Sequence, residues 1–525
     1  MRSFLSLVVL ALLAACGSSS APDATAPGGD DGGAIAPTPP GPAGDAGGDA
    51  APDCATKCDG ACVDLQGDHD HCGSCTTKCD PGLTCAAAQC EPPLKTLWTK
   101  TFGGDAFGNT LSAVDVDASA NVYVTGFFTN PLDLGGGTLT SAGSADILVA
   151  SFTPAGVHRW SKRFGGTGVD QGAGIGFAGG NVYVTGSFAA DVDFGGGTLT
   201  SAGQGDIFVL VLDASSGAYV DARRYGTTND DAGLGIGADA SGNIAVCGFF
   251  DAPTLDLGGG HSVTGGGTDN GFIASFEAGG THRWSLGFGG LGYSDCQQLR
   301  VDPSGNVITA GEFEGTTDFG GGKVTSAGDF DAFIASYTST GAHRFSHRLG
   351  GAQMDDARGV AFDAAGNVAL AGMFHGTVDF GTGTPLVSKG DVDGYVAVFD
   401  SAGKASWARS IGAANGGVMK GVGFDAKGNV AAAGFADGVV DIGTGPLPSL
   451  AKYDVLVVGW SSAGAPLFAR RFGGMDYDEA NGIGVTAGGS MYVAGLFRST
   501  ADFGTGPING SSKDNGFLFL LAPPK

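Results

Sequence analysis

Hydrophobic residues in this chain come in short runs broken by turn residues, and one run occurs seven times. Asn121-Val122-Tyr123-Val124-Thr125-Gly126 is followed by copies that begin at Asn181, Asn243, Asn306, Asn367, Asn429 and Ser490, spaced 60 to 63 residues apart. Each copy ends in glycine (Gly126, Gly186, Gly248, Gly311, Gly372, Gly434, Gly495). Phenylalanine follows two places on (Phe128, Phe188, Phe250, Phe313, Phe374, Phe497), except in the sixth copy, where it shifts to Phe435. Self-similarity at a fixed period predicts a repeat architecture.

The second unit shows what one repeat contains. Ala173 to Phe177, Asn181 to Gly186, Asp206 to Leu212 and a segment ending at Tyr225-Gly226 are strand-length runs rich in Val, Ile, Phe and Tyr. Turn residues bound each run, so every unit predicts four strands. The first turn reads Asp-x-x-Gly-Asn at 239–243, 302–306, 363–367 and 425–429, where Asp bonds the turn backbone and Gly and Asn accept positive φ. Strands apolar on both faces need cover on both, which radially packed sheets provide.

The fourth strands carry an aromatic residue and then Gly: Trp98…Gly103, Trp160…Gly165, Trp284…Gly289, Phe345…Gly350, Trp407…Gly412 and Phe468…Gly473, with Val220…Gly226 in the remaining place. The first of these precedes every other strand of the array, and the last unit stops after three strands at Phe517-Leu518-Phe519-Leu520. The prediction is an all-β, seven-bladed propeller over residues 94–525, with four-stranded blades and the last blade closed by the N-terminal strand. The repeat resembles the bacterial propeller family with D-x-x-G-N-V-Y-V-T-G repeats, known as SBBP repeats.

Residues 1–15 read as an export signal: Met1-Arg2, then an apolar run too short to span a bilayer. Leu13-Ala14-Ala15-Cys16 resembles a bacterial lipobox, which implies cleavage before Cys16 and acylation of that residue. Several acyl chains on one residue give firm anchoring. The other reading is an ordinary secretory signal. Gly17 rather than Asp after the cysteine directs the expectation to the outer membrane. Residues 16–53 are Ser, Ala, Pro, Gly and Asp with few large apolar side chains, a composition that predicts a disordered tether.

Residues 54–90 hold Cys54, Cys58, Cys62, Cys72, Cys75, Cys79, Cys85 and Cys90. In an exported chain this density predicts disulfides in place of a core, with connectivity open. Zinc is the competing reading, from Cys72-x-x-Cys75 beside His69 and His71. The pattern resembles the Stig1-type cysteine-rich module, with His71 where that module carries Asn, and the resemblance implies an extracellular interaction module. Two further cysteines, Cys247 and Cys296, fall in neighbouring repeats, as a bridge or as two buried thiols.

Acidic residues outnumber basic ones 53 to 27, a net charge of −26, which excludes nucleic acid as the expected partner. No Gly-x-Ser-x-Gly elbow, His-Glu-x-x-His pair or phosphate loop is present. His158, His282 and His343 sit in repeated Gly-x-His-Arg contexts and read as strand-entry features.

Two patterns remain as candidate sites. Asp-apolar-Gly recurs at Asp133, Asp193, Asp256, Asp318, Asp379, Asp441 and Asp502, either as turn caps or as a ring of oxygen ligands on one face, suited to calcium. After each fourth-strand glycine the loop stops repeating, and carries Phe107, Asp170, Tyr293, Asp295, Met354, Asp355, Met475, Tyr477 and Asp478. Loops on a rigid scaffold carry recognition, and aromatics beside carboxylates suit glycans or protein partners. The expectation is a monomeric, lipid-anchored, non-catalytic binding or adhesion platform. A polysaccharide-acting enzyme with a site at the central channel and a structural envelope protein are the alternatives.

Overall fold

Seven antiparallel blades of four strands account for the repeat, and in blade 6 the fourth strand also pairs with the hairpin Thr500–Asp502 and Pro507–Asn509. The chain divides into two units, residues 1–54 and 55–525, and the computed structural model describes the second. Within it, residues 94–103, 108–290 and 292–524 are described in full. The cysteine-rich region contributes two backbone hairpins, Lys57–Cys58 with Ala61–Cys62 and Thr84–Ala86 with Gln89–Glu91. Cys16, the tether, the cysteine side chains of residues 54–90 and Phe107 lie outside the described residues.

In every blade the strands pair in the order first, second, third, fourth. The first strands are Thr110–Val116, Gln171–Ala178, Asp231–Ala238, Ser294–Val301, Asp356–Phe362, Gly417–Phe424 and Asp478–Val485, in blades 1 to 7. They pack against one another around the axis. The apolar core lies between neighbouring sheets, as where Val149 and Trp160 of blade 1 meet Val184 and Phe194 of blade 2. The turn between first and second strands shows why Asp and Asn recur: in blade 3 the Asp239 carboxylate accepts the Asn243 backbone N–H at 3.0 Å and its side-chain amide at 2.8 Å. In blade 1 the glycine of that turn is Ala120, held at φ 60°.

Thr96–Phe102 is the fourth strand of blade 7 and pairs antiparallel with Asn515–Leu521. The fourth-strand tryptophans then tie blade to blade. Trp160 Nε1 donates to the Ala214 carbonyl of blade 2 at 3.0 Å, and Trp284 and Trp407 reach Ser339 and Ser462 in the same way. Trp98 of blade 7 reaches the Pro154 carbonyl of blade 1 at 2.9 Å, so the same contact closes the ring. A disulfide joins Cys247, in the second strand of blade 3, to Cys296, in the first strand of blade 4, with Cα atoms 5.6 Å apart.

The repeated glycine has a steric cause. In each blade the first strand carries a β-bulge, and a Cβ on the facing second-strand glycine would overlap a carbonyl oxygen of that first strand, as Gly126 would overlap Thr110. The bulged residues are Ser112, Ala173, Leu234, Gln297, Arg358, Lys420 and Asn481. A bulge re-aims a side chain, and here it presents one residue per blade at the axis.

Candidate functional site

Because the blades are copies, each charged position carries its own controls. Charges that recur are structural. Each of the seven Asp-apolar-Gly carboxylates is exposed and caps its own turn; Asp193 Oδ1 accepts the N–H groups of Gly195 at 2.7 Å and Gly197 at 3.1 Å. The same cap is made by Asp133, Asp256, Asp318, Asp379, Asp441 and Asp502. The hairpin carrying each Asp folds back along the blade, so Gly135 and Gly136 lie against His158 and Gly195 and Gly196 against Tyr219, at the start of the fourth strand. The carboxylates are thereby spread around the rim. Among the described residues no three His, Cys, Asp or Glu side chains gather to hold a metal ion.

Several loop residues expected to be exposed for recognition are also caps. Asp170, Asp355 and Asp478 are buried. Asp170 accepts the N–H of Gly166 at 2.8 Å and of Ala189 at 2.9 Å, and Asp355 and Asp478 hold the equivalent loops. Met354 packs beside a small apolar cluster of Met373, Val392, Val418 and Phe435, while Met475 stands 79% exposed on its loop. His158, His282 and His343 open fourth strands, each with Nε2 against a serine Oγ three residues on.

Charges that do not recur converge on the channel. Tyr293, Asp295 and Tyr477 belong to this group, and most of their partners lie on first strands. Strand alternation puts Tyr293 with Asp295, and Tyr477 with Glu479, on the axial face. The Tyr293 hydroxyl donates to Asp295 Oδ2 at 2.8 Å, and the Tyr477 hydroxyl to Glu479 Oε2 at 2.5 Å. Gln297 Nε2 donates to the same Asp295 oxygen at 2.6 Å. Arg358 Nε bonds Asp356 at 2.6 Å, and Lys420 Nζ bonds Glu479 at 2.7 Å and Asn481 at 3.0 Å. Glu312, on the second strand of blade 4, stands directly opposite Asp295.

The other blades show how unusual that pairing is. The matching pairs elsewhere are Thr110–Phe127, Gln171–Ser187, Ala232–Phe249, Asp356–Met373, Val418–Phe435 and Glu479–Leu496. Like charges directly opposite on a sheet destabilise it, and only blade 4 has them. Below this layer is a small polar recess of about 20 Å³, room for a water, lined by Ser112, Gln298, Arg300, Lys420 and Asn481. Next to Lys420 is an aromatic cluster: Phe435, Tyr453 and Tyr477 meet with centroids 5.2 to 6.1 Å apart, and the Lys420 ammonium lies over Phe435.

Electrostatics follow from burial. Desolvation, then Asp356, raises Asp295; desolvation, then Asp295 and Asp356, raises Glu312 well above an ordinary glutamate. Desolvation, with Arg358 adding to it, lowers Lys420 despite its bond to Glu479. Among the caps, burial pushes Asp170, Asp231 and Asp355 up to about 6 and Asp478 up to about 7. A group whose folded pKa exceeds its unfolded value holds its proton in the folded state only. Its stabilising contribution is complete below the unfolded pKa and is lost as pH rises through the folded one. The melting temperature is therefore expected to fall by several degrees from pH 5 to pH 8, in differential scanning calorimetry of the full chain. A flat or rising profile would contradict these shifts.

The class that fold and site define is a seven-bladed β-propeller with a charged channel mouth on blades 4 to 7. No family model matches this chain. Regulatory protein FlaEY of Caulobacter vibrioides is 25% identical over 161 residues, 29% of this chain and 16% of that protein, so the match spans far less than two thirds of its length. Among solved structures, the WD40 domain of Neurospora crassa Pan2 is similar over 78% of this chain and 88% of its own, at 11% identity and TM-score 0.41. BamB from Moraxella catarrhalis matches over 79% of this chain and 99% of its own, at 11% identity and TM-score 0.31. These likenesses are coarse, and the channel is read from this chain alone.

Proposed function

We propose that this is an exported protein, held to the envelope through acyl chains on Cys16, that serves as a non-catalytic binding platform for a glycan or protein partner. The site moves from the loop tips of the sequence reading to the channel mouth. One observation supports this above the rest: in an array of seven copies, unpaired and like charges are kept at the axis of blades 4 to 7 at a cost to the fold. Buried charges of this kind are a weak source of stability. A small number of convergent polar groups is how recognition sites fix the orientation of what they bind.

A binding screen of the full chain against glycans and solubilised envelope proteins tests the reading. Asp295→Asn is expected to weaken any specific partner at least tenfold, and the rim variant Asp193→Asn to leave it unchanged. Binding that needs calcium and is lost with Asp193→Asn alone would return the site to the rim. A second reading, an enzyme acting on polysaccharide, draws support from the raised Asp295–Glu312 pair, since catalytic carboxylates are tuned this way. Release of reducing ends by the wild type, abolished in Asp295→Asn, would favour it.

A further inference from the structure

The channel groups are layered by charge. Nearest the loops are the carboxylates Asp295, Glu312, Asp356 and Glu479, one register step in are Arg358 and Lys420, and the polar recess with Arg300 lies beyond. Two of these groups have open valences. Among the described residues Arg358 uses only Nε, on Asp356, so both terminal nitrogens are without a partner there and are not sealed from solvent. Glu312 has neither an ion-pair nor a hydrogen-bond partner among the described residues, and its oxygens are not sealed either. The two feel each other's charge yet form no ion pair. Beside them Asp295 is 1% exposed, with Oδ1 buried and unpartnered.

A pair of unused opposite charges held apart at the channel mouth has a definite complement. A guanidinium fork with free donors fits a carboxylate, and two opposed carboxylates fit an ammonium. Inorganic anions satisfy only the first and simple amines only the second. We infer that the channel mouth binds a small zwitterion of the α-amino-acid type, its carboxylate on the free edge of Arg358 and its ammonium between Glu312 and Asp295. Such a ligand adds no net charge, and it gives each open group an opposite partner. The acidic outer layer admits the ammonium first, which agrees with the order of the layers.

This inference rests on the channel-mouth reading, and its test separates the two. The full chain is titrated calorimetrically with a panel of free amino acids, each with its N-acetyl and amide counterparts, and with acetate, phosphate and neutral sugars. At least one free amino acid is expected to bind, with its N-acetyl and amide forms at least tenfold weaker. Arg358→Gln should erase the preference over the amide, and Glu312→Gln the preference over the N-acetyl form. Arg358→Lys, which keeps the charge without the fork, should fall between wild type and Arg358→Gln, while unchanged melting curves show that the variants fold.

An N-acetyl form or acetate binding as tightly as the amino acid would overturn the zwitterion in favour of a plain anion site. Equal binding of the amide would overturn it in favour of a cation site. A sugar that binds and is lost with Asp295→Asn would overturn the ligand class while keeping the channel mouth. No binding by any probe would overturn the zwitterion and leave the channel-mouth reading to the screen against glycans and envelope proteins.

Discussion

Deleting residues 94–104 is expected to turn a soluble ring into an aggregating chain, the largest single effect in this fold. The deletion removes the strand Thr96–Phe102 and leaves the backbone of Asn515–Leu521 without its outer partner. All seven residues of that partner strand are buried in the intact ring, so the exposed edge is long, flat and apolar. Natural sheets avoid such edges because they template pairing with another chain. The same deletion takes away the Trp98 bond to the Pro154 carbonyl and Leu94, which belongs to the core of blades 6 and 7. Size-exclusion chromatography and a melting curve are the measurement. A monodisperse deletion variant with one cooperative transition would mean that the ring holds without its N-terminal strand.

The repeat made the fold legible before any coordinate. The period gives the blade number, the aromatic-then-Gly strand ahead of the first blade gives the closure, and Asp-x-x-Gly-Asn gives the first turn. Local chemistry sets all three, so sequence shows them. The site was harder to see because its signal is the departure of one copy from the others. Tyr293, Asp295 and Tyr477 stood out as loop residues, yet their neighbours Asp170, Asp355 and Asp478 looked the same and are buried caps. Glu312, Arg358, Lys420 and Glu479 were missed because each sits inside a strand, where a lone charge reads as a solvated face. The bulge makes the difference: it turns Arg358 and Lys420 to the axis, and no two-residue alternation predicts that. Aligning the seven copies on the second-strand glycine would have found them, since the bulged column reads Ser, Ala, Leu, Gln, Arg, Lys, Asn.

Replacing Glu312 with Met is expected to stabilise the protein while removing its ligand. Blade 5 already carries this arrangement, with Met373 opposite Asp356, so the substitution copies a pairing the fold accepts. Among the described residues Glu312 makes no hydrogen bond or ion pair, so its loss breaks none, and Asp295 is freed from a like charge directly opposite. Exchanging a desolvated charge for an apolar side chain of similar length relieves its desolvation cost, so the variant is expected to unfold at higher denaturant. Burial raises Glu312 above an ordinary glutamate, so in the wild type its ionisation costs the folded state more as pH rises. The gain should accordingly be larger at pH 8 than at pH 5, in denaturant melts of wild type and variant at both values. A stability loss at both pH values would show Glu312 to be part of the scaffold. A gain accompanied by intact binding would separate the charge from recognition. The expected combination, a more stable and ligand-blind ring, is what a site maintained against the preferences of its own repeat should give.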